Sequence, residues 1–233
     1  KEVEHFAVTD YTVALRQGAD LPENERQTIA EKPHDYTGLP TDYILRSDLR
    51  VNGGQFEQQL QAKTGMATGR LDTRYSSPTL DPMFKEVDYD PQSSAISSAY
   101  VSVFNDYVRN MLKYGTDETY RLFNPEDHWN SKHAQPGHEY QPRGVPNGMS
   151  DLAMAIKTNP NLHVMLNGGY YDLATPYFEG IYEMKHLPMA KSLQKNIEYA
   201  QYPSGHMVYV DTATLQQLHD NVPAFIRRPD NLH

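Results

Sequence analysis

The chain contains no cysteine. Disulfides, thiolate zinc sites and a thiol nucleophile are therefore excluded. Compartment is not decided by this, because cysteine-free chains occur on both sides of a cell membrane. Long apolar runs are also lacking. The longest hydrophobic stretches fall far short of a membrane span, so no membrane partner is expected. No Lys/Arg stripe offsets the net charge of −9. A phosphate backbone would be repelled by such a surface, and nucleic acid is not expected as a partner. No signal peptide is visible. Apolar residues make up only 38% of the 233 residues, so the core cannot be generous. The 17 tyrosines compensate in part, since each buries a large ring behind a polar tip. The sequence starts at Lys1 rather than at Met, which leads us to expect a processed chain or a fragment.

Two kinds of material follow one another. Residues 1–150 read as helical and loop-rich. Ala7, Tyr11, Ala14 and Leu15 recur at helical spacing and Gly18 closes the run. A second helix is expected from Pro22 to Gly38, with Glu23 and Glu25 in its first turn and a kink or early stop at Pro33. Thr41 offers an N-cap for "TDYILRS", and "GQFEQQLQAKTG" reads as a short helix ending at Gly65. Residues 66–92 and 123–147 should be mostly loop. Between them lies the strongest helical pattern. Ile96, Tyr100, Val103, Phe104, Tyr107, Val108, Met111 and Leu112 share one face, and Gly115 ends it.

From residue 151 to 233 the pattern alternates. "SDLAMAIKTNP" is a helix capped by Ser150, and "HVMLNG" is a short buried strand. A helix from "PYFEGIYEMKHL" should continue to Leu193, followed by a second strand at "NIEYAQY". A last helix carries Leu215, Leu218, Val222, Phe225 and Ile226 on one side. This alternation predicts an α/β fold with parallel strands.

Open α/β sheets bind ligands beyond the carboxyl ends of their strands. In "LNGGYYDLATP", Asp172 follows the first strand; in "QYPSGHMVYVD", His206 follows the second. Neighbouring parallel strands lie about 5 Å apart, so a carboxylate and an imidazole on the two following loops can meet. The carboxylate would hold the imidazole tautomer and leave Nε2 as a general base. Taken singly, an Asp after a strand is most often a turn residue, and a lone His is most often structural. It is the order and the shared context that point to a dyad.

Those two motifs and the closing helix resemble the C-terminal end of serine carboxypeptidases, which have the α/β-hydrolase fold. "YTGLPTDYI", "LRVNGGQFEQQL", "TGRLDTR" and "AYVSVFNDYVRNMLKY" resemble the stretch that precedes the acid in bacterial members, and Tyr209 stands where many eukaryotic members have Pro. The resemblance implies the C-terminal part of an α/β-hydrolase domain in 151–233, with the last parallel strands and helices, preceded by a helical cap region in 1–150. It also implies that Asp172 is the triad acid, that His206 is the base, and that Met207 borders the substrate pocket. A peptide substrate, no cofactor, and a secreted or periplasmic location follow from the same resemblance. Tyr170 and Tyr171 either line that pocket or pack over the sheet end.

The family's nucleophile belongs in a Gly-x-Ser-x-Gly turn before the acid. No serine from Ser47 to Ser150 has that context, and Ser204 reads as a turn residue. The expectation is that this chain is the C-terminal portion of a longer enzyme and inert alone. It should pack against the N-terminal half or a second copy through the open strand edge. Other α/β-hydrolase activities (aminopeptidase, esterase or acyltransferase) fit the same motifs, as does a binding module with a vestigial Asp-His pair.

Three other signals stand apart from these motifs. His128, His133 and His138 recur every five residues, a spacing that suits neither a helix face nor a strand face, so a solvated loop is favoured over a metal site. Arg70, Asp72 and Arg74 in "GRLDTR" read as local ion pairs, with a carboxylate-gripping arginine as the functional alternative. His186 reads as a helix-surface residue.

Overall fold

The structure, a computed structural model, describes residues 1–121, 133–134, 136–137 and 147–228. His128 and His138 lie outside the described residues, as does most of the loop expected at 123–147. The fold is mixed helix and sheet, with one small antiparallel and one small parallel sheet among the described residues. Contacts divide the chain into two units. One comprises Lys1–Ser93 with Tyr171–Ala174, and the other Ser94–Tyr170 with Thr175–His233.

The first unit begins with α1 (Glu2–Phe6) and α2 (Thr12–Gln17), joined through a π-helical turn at Ala7–Tyr11. Gly18 then takes φ 59°, a left-handed conformation that ends the helix cheaply only in glycine. α3 (Glu23–Thr37) runs straight through Pro33. Here the expected stop fails. Ala30, fully buried just before the proline, anchors the helix in the core, and that packing outweighs the hydrogen bond lost at Pro33. Gly38 closes the helix in the left-handed region. α4 (Thr41–Arg46) has Pro40 as its N-cap, so Thr41 is a helical residue and not the cap. Ala14, Leu21, Ala30, Leu39, Ile44 and Leu49 form the core of these helices.

α5 (Gly53–Gln59) starts at a capping box. Asn52 Oδ1 accepts from the Gln55 N–H at 2.8 Å, and Gln55 Oε1 accepts from the Asn52 N–H at 3.0 Å. The helix stops at Gln59, short of Gly65, and a 3-10 turn at Ala62–Thr64 fills the interval. Residues expected to be loop hold an antiparallel hairpin of β1 (Met66–Thr68) and β2 (Ser76–Pro78). Three residues per strand are too few to show a period of two.

The second unit takes most of α6 (Pro91–Asp106), which passes into a π-helical turn at Tyr107–Met111 and ends before Gly115. Its apolar face is present as expected but not buried. Tyr100, Val103, Phe104, Tyr107, Met111 and Leu112 are all exposed. α7 (Met149–Thr158) has Gly148 as N-cap, so Ser150 is inside the helix. β3 (Val164–Gly169) is half-buried along most of its length rather than buried. α8 (Tyr177–Lys185) ends well before Leu193, because Leu187 turns into the core and Pro188 cannot continue a helix. β4 (Ile197–Tyr202) and α9 (Thr212–Arg227) complete the unit.

β3 and β4 pair in parallel, from Val164 opposite Ile197 to Gly169 opposite Tyr202. Val164 and Ile197 pack with Ala153 and Ile156 of α7 and Leu187. On the other face the Tyr202 hydroxyl donates to Asn167 Oδ1 at 2.9 Å and accepts from Asn221 Nδ2 of α9 at 3.1 Å. Helices thus cover both faces, and each strand pairs along one edge among the described residues. No described helix is long and apolar enough to cross a membrane.

Candidate functional site

The second unit holds His206. β4 ends at Tyr202, and the chain turns at once, with the Ser204 N–H donating to the Tyr202 carbonyl at 2.8 Å. The turn folds back over the end of β3. A Cβ on Gly169 would stand 2.2 Å from the Gly205 carbonyl oxygen and 2.3 Å from that of Ser204. Only glycine lets the histidine loop approach the strand this closely. Tyr170 continues the pairing by donating its N–H to the Tyr202 carbonyl at 3.0 Å. The turn delivers His206 to the surface with its ring exposed. Its Nδ1 lies 3.2 Å from Thr175 Oγ1, a partner that the sequence motifs did not single out. Met207 is half-buried, and its carbonyl accepts from the Val210 N–H at 3.0 Å. Tyr170 is half exposed and packs edge-on against Tyr177, with ring centroids 4.9 Å apart.

The first unit holds Asp172. Its carboxyl group is buried, at 6% exposure, and Oδ1 accepts from the Ala174 N–H at 2.8 Å. The "GRLDTR" loop clasps this segment on both sides. The Thr73 N–H donates to the Tyr171 carbonyl at 2.9 Å, and the Leu173 N–H donates to the Arg70 carbonyl at 3.0 Å. The loop itself is fixed by Arg74. Its Nε donates to Asp72 Oδ1 at 3.0 Å and its Nη2 to Asp72 Oδ2 at 2.7 Å. Asp72 is 1% exposed, so this fork-shaped pair neutralises a buried carboxylate. The same guanidinium lies over the Tyr171 ring, 4.8 Å from its centroid. Arg74 and Asp72 thus form the local ion pair that the first reading of the loop expects.

Asp172 and His206 each follow the carboxyl end of one of two paired parallel strands, and they belong to different contact units. No serine in the described residues sits in a strand-to-helix elbow. Ser94, Ser97, Ser98 and Ser102 lie within α6, and Ser204 is buried in its turn.

Of the other signals, His133 is described and pairs through Nε2 with Asp151 Oδ2 at 2.7 Å, next to the first turn of α7. No group of three or more His, Asp or Glu placed to hold a metal ion occurs among the described residues. His186 caps the end of α8, exposed, with its ring stacked on Tyr182 at 4.0 Å. One further group carries no signal in the sequence. Glu57 of α5 is only 5% exposed, and burial pushes its carboxyl group up to about 7.

No family model, curated protein or solved structure matches the chain.

Proposed function

We propose that the chain is the C-terminal portion of a serine carboxypeptidase of the α/β-hydrolase fold. The observation that supports this most is the parallel pair β3–β4, with Asp172 three residues past one strand end and His206 four residues past the other. In this reading the Asp172 carboxylate orients the imidazole and stabilises its charged form. His206 takes the proton of a serine that lies outside these 233 residues. That serine attacks the last peptide carbonyl, the imidazolium protonates the departing amino acid, and water resolves the acyl-enzyme through the same base. The exposure of His206 suits a group that must reach a substrate, and the burial of Asp172 suits one that must only orient. Residues 1–150 form the cap, and the exposed face of α6 is covered by the N-terminal half of the enzyme or by a second copy.

The test is hydrolysis by the protein that includes the upstream coding sequence. An N-blocked dipeptide with a free carboxylate should lose its terminal amino acid. Asp172→Asn should lower kcat by about 10⁴-fold, and His206→Gln by a comparable or larger factor. Turnover of simple esters without peptides would replace the assignment with an esterase. An upstream sequence lacking a Gly-x-Ser-x-Gly turn would leave a binding module.

A further inference from the structure

The second unit holds a cavity of about 320 Å³ at the amino ends of β3 and β4, lined by residues of that unit alone. His206 follows the opposite strand ends, about 16 Å away along the strands, so the proposed hydrolysis leaves this cavity unused. Leu162 and His163 lead into β3, Glu198 stands on β4, and Phe225, Ile226 and Arg228 come from the carbonyl end of α9. The floor is fixed in advance. Asn196, buried at 2% exposure, donates through Nδ2 to the carbonyls of Pro160 at 2.7 Å and Leu162 at 3.2 Å. The Leu162 N–H donates to the Asn159 carbonyl at 2.9 Å, and the Asn161 N–H to Asn159 Oδ1 at 3.2 Å. These bonds leave the side-chain amide of Asn161 and the ring of His163 free on the cavity wall; neither has a hydrogen-bond partner among the described residues.

Two opposite charges face this space. Arg228 donates through Nη1 to Glu198 Oε1. The side chains are 58% and 26% exposed, so water already screens the pair and separating it costs little. A simple anion would draw Arg228 away and leave Glu198 without its partner, and a simple cation would do the reverse. A molecule that carries both charges replaces the pair contact for contact. Its carboxylate matches the planar fork of the guanidinium. Its ammonium suits Glu198, beside the carbonyl end of a sixteen-residue helix whose dipole favours positive charge. Leu162, Phe225 and Ile226 offer an apolar wall for a side chain. The volume lies at the low end of small-ligand pockets, the scale of one amino acid and not of a longer peptide.

We propose that this cavity binds a free amino acid with an apolar side chain, its carboxylate on Arg228, its ammonium on Glu198 and its side chain against Leu162, Phe225 and Ile226. The Asn161 amide and the His163 ring complete the polar rim. Such an amino acid is also the class of product that the proposed hydrolysis releases. That link rests on the peptidase reading, whereas the binding itself does not.

The test is titration of the 233-residue chain with L-leucine, followed through the NMR signals of His163 and Phe225. Their shifts should reach half-saturation at about 1 mM. Isocaproate lacks the ammonium, isoamylamine lacks the carboxylate and glycine lacks the side chain; each should bind about tenfold more weakly or worse. Arg228→Gln should weaken leucine binding by about tenfold, and this exposed substitution should leave the thermal midpoint in place. The ligand series needs no variant. No saturation below about 20 mM, isocaproate binding as tightly as leucine, or an unchanged affinity in Arg228→Gln overturns the proposal. Shifts confined to the His206 end of the strands would place the amino acid at the reacting site and overturn it as well. No peptidase activity is read, so a failed titration leaves the peptidase reading standing, and a failed peptidase assay leaves this result readable.

Discussion

Two adjacent glycines end β3, and they are not equivalent. At Gly169 a side chain would meet backbone, with carbonyl oxygens at 2.2 and 2.3 Å from the added Cβ. At Gly168 it would meet Oε1 of Gln201 at 2.8 Å, the far end of a side chain that can swing away. Gly169→Ala should therefore cost about 3 kcal/mol, since the His206 loop must lift off the strand end. Gly168→Ala should cost about 1 kcal/mol. Urea unfolding of the two variants decides this, and equal costs would count against the close approach. The sequence shows the glycines and the break they make in an apolar run. The reason for Gly169 lies in a loop more than thirty residues further on, which no local pattern reveals. Thr175 beside the His206 ring is hidden in the same way, because its partner is remote in the chain.

Elements were legible where their periods were long enough. The helices at 23–37, 91–106 and 212–227 and both parallel strands follow from spacing alone. The three-residue hairpin strands and the clasp between residues 70–73 and 171–173 do not, since one is too short and the other pairs distant segments. The hydroxyls of Thr41 and Ser150 point to helix starts one and two residues late, because Pro40 and Gly148 hold the cap positions and leave no side-chain signal. Asn52 and Asp211 do cap their helices with side-chain oxygens, which accept from the N–H groups of Gln55 and Thr214. Asn52→Ala and Asp211→Ala should each cost about 1 kcal/mol. Thr41→Ala and Ser150→Ala should stay within about 0.5 kcal/mol, since neither caps a helix. Thermal unfolding of the four variants tests the assignment, and a reversed order would refute it.

At the scale of the molecule the puzzle is α6. Its apolar positions recur at helical spacing, the signature of a helix that packs against a core. Yet Val103 is 68% and Met111 71% exposed, and only Ile96 and Val108 of that face are partly covered. The rest of the charge pattern does not explain this, because Asp106 is the single charged residue between Ser94 and Val108. A contiguous apolar surface of this kind marks an interface that something covers. The 233-residue chain should accordingly bind an apolar dye and associate with itself as its concentration rises. Val103→Glu with Met111→Glu should suppress both effects and change unfolding free energy by less than about 0.5 kcal/mol, because both side chains already face solvent. Sedimentation and dye fluorescence across the micromolar range measure the first effect, and urea unfolding the second. If the double variant unfolds several kcal/mol more easily, the face is already buried within the chain. In that case the face needs no covering partner.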